Sequence, residues 1–87
     1  ETVPVLVALG QFAYDQTLRI FRERSFVVPR PKPRFAHGLE VELAPSKGQG
    51  PWRLVASFHP SQQNTFTGRL TLAMFDRIWN RALELRK

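Results

Sequence analysis

No cysteine occurs among the 87 residues. That excludes a disulfide framework, a thiolate zinc site and a cysteine-ligated iron–sulfur cluster built by this chain. Long apolar runs are absent too. The longest, Val3 to Leu9, is far too short to cross a bilayer as a helix, so no membrane partner is expected. No basic segment precedes that run, and no signal peptide is expected. Acidic residues are few: seven Asp+Glu against thirteen Lys+Arg leave a net charge of +6. The two histidines, His37 and His59, stand without a ligand cluster, so no metal site is expected. Nucleotide-binding fingerprints are missing, since Gly10 stands alone. Ser61 lies two residues from His59 with no carboxylate near it to complete a hydrolytic triad.

What remains is apolar, aromatic and rich in arginine. Hydrophobic residues make up 43% of the chain, with seven Phe and two Trp, which excludes disorder as a description of the whole. A chain this short forms at most one domain and buries only roughly 60–65% of its unfolded surface. Ten of the thirteen basic residues are arginine, the side chain suited to bidentate recognition of phosphate or carboxylate. A polyanionic partner fits that balance.

Val3–Leu9 is apolar almost without interruption, the pattern of a strand buried on both faces. Gly10 follows, where the backbone can turn sharply or approach something closely. From about Gln11 to Arg24 the pattern turns helical, with Tyr14, Leu18 and Phe21 on one stripe. Ser25–Pro33 is a short β-prone piece that runs into prolines, which predicts an edge strand or extended arm. Leu39, Val41 and Leu43 alternate with Glu40 and Glu42, a half-exposed strand. The two together read as a hairpin with a long, basic, proline-rich loop. Trp52–Phe58 is the third β segment, ended by His59-Pro60. Thr71 is placed to cap a last helix whose stripe is Phe75, Ile78, Trp79, Ala82 and Leu85 or Arg86. The order is β-α-(ββ)-β-α, an α/β arrangement. Its two most apolar strands need cover from a larger sheet or from a second copy of the chain.

The segment His59-Pro-Ser-Gln-Gln-Asn-Thr-Phe-Thr-Gly-Arg69 follows the carboxyl end of Trp52–Phe58, read as a central strand, where open α/β sheets place ligands. It holds a histidine, amides able to read base edges, hydroxyls and an arginine, groups that suit nucleic acid. A solvated turn-rich loop has the same composition.

The string LVASFHPSQQNTFTGRLT resembles the C-terminal signature of uracil-DNA glycosylases, and the iron–sulfur-containing type B (family 5) branch in particular. VPVLVALG resembles that family's third core strand and turn, and PKPRFAHG with EVEL resembles its hairpin insertion. The resemblance covers essentially the whole chain. It implies the C-terminal half of a three-layer αβα fold with a short parallel sheet, residues 1–87 being one partial domain. It also implies a cytoplasmic protein of bacterial or archaeal type that acts on DNA. The family's water-activating motif, its uracil-reading asparagine and its cluster cysteines lie N-terminal to anything in this sequence. A 4Fe–4S cluster is thus expected only from a missing N-terminal half, and no cofactor from this chain. Leu72 stands where the family usually carries proline at the first helical position.

Carried over residue by residue, the resemblance makes His59 the catalytic histidine beside uracil O2. Gln62, Gln63, Asn64 and Thr65 match the loop that enters the minor groove and holds the base out of the stack, with Ser61 among the DNA-binding residues beside it. Gly68 and Arg69 match the segment that meets the phosphate backbone. Phe66 is read as packing and His37 as structural, satisfying a local hydrogen bond. Three functions follow: part of an enzyme that hydrolyses the N-glycosidic bond of flipped uracil, a catalytically silent DNA-binding module, or a half-domain that completes a sheet. The enzyme reading leaves this chain alone inactive.

Overall fold

A computed structural model describes residues 3–46, 50–59 and 70–86. Its elements are β1 (Val5–Leu9), α1 (Gly10–Glu23), β2 (Phe26–Val27), β3 (Glu40–Pro45), β4 (Trp52–Ser57) and, numbered here in chain order, α2 (Leu72–Leu85). This is the β-α-(ββ)-β-α order that the apolar patterning predicts.

The four strands form one sheet in the order β1-β4-β3-β2. β1 and β4 run parallel, from Val5 opposite Arg53 to Leu9 opposite Ser57. β3 is antiparallel to β4, with Val41 opposite Leu54 and Leu43 opposite Trp52. β2 pairs with the far end of β3, Phe26 opposite Pro45. β2 is an edge strand two residues long, as expected for a segment leading into prolines. β4 is covered on both edges within the chain, because the hairpin strand β3 takes its second side. β1 is less enclosed than its sequence predicts. Only Ala8 is fully buried, and its outer edge carries no strand among the described residues.

Register then fixes the layers, since neighbouring residues along a strand face opposite sides. Leu6 and Ala8 of β1, Leu54 and Ala56 of β4, and Val41 and Leu43 of β3 share one face. They pack against Tyr14 and Leu18 of α1. Phe21, Phe26 and Trp52 close this layer through edge-on ring contacts at 4.7 and 5.5 Å. Val5, Val7 and Val55 lie on the opposite face, under α2, whose buried residues are Ile78 and Ala82. The result is helix, sheet, helix. It is compatible with half of the three-layer fold that the resemblance implies.

Local signals set the ends of the helices. Thr71 caps α2, its hydroxyl accepting the Met74 N–H at 3.1 Å. Leu72 opens that helix and is 83% exposed, so the position asks only for a helix-compatible backbone. Trp79, which the helical stripe places in the core, is 44% exposed. It overhangs the open edge of β1 beside Val5 and Val7, where no further strand supports it among the described residues.

The proline-rich arm between β2 and β3 is tied down by α1. Buried Tyr14 donates its hydroxyl proton to the Pro33 carbonyl at 2.6 Å. Burial, reinforced by the neighbouring Asp15 charge, pushes the Tyr14 phenol above its usual range. Beside it, Lys32 pairs with Asp15 at 2.8 Å.

Candidate active site

Parallel strands end at the same edge of a sheet. β1 and β4 therefore deliver Gly10 and His59 to one place, just beyond the last pair, Leu9 and Ser57. Gly10 has φ +88, a conformation natural to glycine. A Cβ at this position would lie 3.3 Å from His59 Cβ and 3.9 Å from two carbons of the imidazole ring. The sharp turn and the close approach expected of Gly10 are both present, and what it approaches is His59. The His59 side of this edge is solvent-exposed. α1 begins there with no side-chain cap from Leu9, so its positive end faces the same region.

A second anchor holds the exit from β4. The Phe58 N–H donates to His37 Nδ1 at 3.0 Å. The two rings stack, with centroids 4.8 Å apart and planes 28° from parallel. The His37–Gly38 turn is itself pinned to β4, because the Gly38 N–H donates to the Ala56 carbonyl at 2.8 Å and the Ala56 N–H to the Leu39 carbonyl at 2.8 Å. Gly38 takes φ +85 to make that turn. His37 is structural, as its position before a glycine predicts, but its bond is not local. It spans twenty-one positions of sequence. Only the register of β3 on β4 reveals that partner, and register is a long-range property that no local pattern in the sequence marks.

Beyond the same turn, α2 and the sheet flank an open cleft of about 360 Å³ lined by His37, Val55, Met74, Ile78, Arg77 and Arg81. Arg81 is committed at its rim: its Nε and Nη2 donate to the two Glu40 carboxylate oxygens at 2.7 and 3.1 Å. That hydrogen bonding, against the opposing effect of burial, holds the Glu40 carboxyl below the usual carboxylate range.

Of the residues predicted for the site, the structure positions His59. Ser61, Gln62, Gln63, Asn64, Thr65, Gly68 and Arg69 lie outside the described residues, as does Phe66. The described residues resume at Leu70, which is buried next to the Thr71 cap. Among the described residues no group of three or more His, Cys, Asp or Glu could hold a metal ion, and no helix is long and apolar enough to cross a membrane.

The chain has relatives of known name. Over 85 residues, 98% of its length, it is 46% identical to a "Type-5 uracil-DNA glycosylase" of Mycobacterium bovis, and over the same share 45% identical to that of Mycobacterium leprae. Over 83 residues it is 40% identical to the "Type-5 uracil-DNA glycosylase" of Thermus thermophilus. It spans 28% of the first protein and 33% of the other two, so about a third of their length. No family model and no solved structure matches it. Along nearly all of its residues, this chain is similar to a segment of proteins named type-5 uracil-DNA glycosylase.

Proposed function

We propose that this chain is the part of a uracil-DNA glycosylase that supplies a donor for the departing base and the loop that holds the base outside the helix. The observation that carries this reading is the position of His59, at the carboxyl edge of the parallel β1–β4 pair, in a chain 46% identical to a type-5 enzyme. In N-glycoside hydrolysis the bonding electron pair leaves with the base. Negative charge then spreads onto uracil O2 while the sugar turns cationic. A donor from His59 to O2 stabilises that charge where it develops. Gln62 to Thr65 enter the minor groove beside the flipped nucleotide, Ser61 contacts DNA beside them, and Gly68 and Arg69 meet the phosphate backbone. The attacking water is activated by residues outside this chain. A 4Fe–4S cluster needs thiolates, and this chain has none, so the cluster belongs with cysteines of the remaining protein.

The test is excision of uracil by the full-length protein. His59→Ala is expected to lower the single-turnover rate on the order of 10²–10³-fold, as loss of an oxyanion-type donor does. Wild-type protein that leaves uracil in place would overturn the proposal. The 87-residue chain by itself is expected to form no abasic sites.

One observation favours a second reading. The outer edge of β1 has no strand partner among the described residues, and the relatives extend well beyond the matched segment. On that reading the chain is a silent DNA-binding or sheet-completing module, joined at β1 by the remaining protein or by a second copy.

A further inference from the structure

We infer that His37 is a positioning residue for His59: by holding the Phe58 peptide it sets the direction in which His59 leaves the sheet. The inference rests on the proposed role of His59 at uracil.

On its β3 side β4 donates last from the Ala56 N–H, to the Leu39 carbonyl. The next N–H on that side is that of Phe58, one residue past the end of β4, and a backbone donor at such a point needs an acceptor. His37 Nδ1 supplies one at 3.0 Å, in the place a strand carbonyl would occupy. Its ring also lies over the Phe58 ring at 4.8 Å. The hydrogen bond orients the Ser57–Phe58 peptide plane, and the stacked rings fix the Phe58 side chain. Between them they leave the backbone little freedom before His59. On its other side His59 backs onto Gly10, with only 3.3 Å available to a Cβ there. His59 thus leaves the sheet between two restraints, the Phe58 peptide held by His37 and the Gly10 backbone behind its Cβ. The turn carrying His37 is itself clamped to β4 by the Gly38 and Ala56 hydrogen bonds. A donor aimed at a developing charge depends steeply on alignment. A displacement of about 1 Å can cost on the order of 10²-fold in rate.

Single-turnover excision from uracil-containing single-stranded DNA by the full-length protein tests this, with DNA affinity and thermal unfolding measured alongside. His37→Phe keeps a stacking ring and removes the acceptor. It is expected to slow cleavage by about 10- to 100-fold while DNA affinity stays within about twofold. His37→Asn places an amide oxygen near the Nδ1 position and is expected to recover most of that loss. On a His59→Ala background, His37→Phe should cost almost nothing more, because the two residues act as one unit. The Phe58 amide should exchange with solvent faster in His37→Phe and regain protection in His37→Asn, independently of any activity. The proposal is overturned if His37→Phe cleaves at the wild-type rate, if it loses the same factor with and without His59, or if Phe58 protection is unchanged. A wild-type protein that excises uracil while His59→Ala is unimpaired removes the role of His59 and this inference with it. Impaired His59→Ala beside intact His37→Phe removes this inference alone. Should His37→Phe not fold, His37→Gln, whose acceptor stands one carbon further out, is expected to fold and cleave slowly with normal DNA affinity. Full-rate cleavage by that variant would overturn the proposal.

Discussion

Gly10 stands directly behind His59, so close that a single added methyl group would reach to 3.3 Å of His59 Cβ. Its backbone, at φ +88, is one that a residue with a side chain adopts only under strain. Gly10→Ala therefore meets two penalties, strain at Gly10 and displacement of His59. Strained backbone of this kind costs on the order of 1–3 kcal/mol. The expected result is a lower melting temperature together with slower uracil excision. Calorimetry and single-turnover kinetics on the full-length protein check both, and an unchanged melting temperature would mean that the turn relaxes without cost.

Tyr14 is the link between α1 and the proline-rich arm. Tyr14→Phe keeps the packing and deletes the 2.6 Å hydrogen bond to the Pro33 carbonyl. The expected loss is about 1 kcal/mol, since the carbonyl it leaves is partly buried. The arm should also loosen. Trypsin is expected to cut faster after Arg34, a bond that, unlike those after Arg30 and Lys32, is not followed by proline. Equal digestion of both proteins would place the anchoring of the arm elsewhere.

The Glu40–Arg81 pair predicts an acid-side dependence of stability. Arg81 lowers the Glu40 carboxyl in the folded state. The unfolded chain therefore binds the proton more readily, and folding is favoured above the unfolded value of about 4.3. That contribution disappears as pH falls through the lower, folded value. The pair bridges α2 and β3 at the surface, so its effect is modest and weakens in salt. Denaturant unfolding should find Glu40→Gln less stable than wild type at neutral pH, with the gap closing in acid. A gap that stays constant with pH would argue against the pair as its source.

Chemistry and base extrusion should separate on different substrates. His59→Ala is expected to lose the same factor on U·A, U·G and single-stranded uracil, because its defect follows flipping. Replacing Gln62, Gln63 and Asn64 by glycine should hurt most on U·A and least on single strands, where unstacking and unpairing cost little. Single-turnover cleavage of the three substrates checks this. Equal losses across all of them for both variants would end the proposed division of labour.

The order of elements was legible because local patterns carry it. An unbroken apolar run ends at Gly10, Glu40 and Glu42 alternate with buried neighbours, and a hydroxyl residue precedes α2. What joins the elements was less legible. Tyr14 and His37 each find a partner in the backbone of a distant segment, Pro33 and Phe58, and a backbone group leaves no trace in residue identity. The covering of β4 by β3 depends on strand register, again a property of pairs rather than of segments. His59 could be singled out from its motif, while the two features that hold it, Gly10 at its back and His37 beneath Phe58, needed the fold. Trp79 looked like core because helical periodicity reports a stripe and not how much sheet lies beneath it.

The parallel pairing of β1 with β4 has a consequence in time. β3 and β4 can zip from a short connection, Leu43 meeting Trp52, whereas Val5 must find Arg53 across most of the chain. Closing the longer loop costs more entropy, and non-local pairing slows folding. During synthesis β1 and α1 emerge before β4, and their pairing with it waits until β4 leaves the ribosome. The contact between Gly10 and His59 thus waits for β4, and the edge that carries the candidate chemistry exists only once about two thirds of the segment has been made.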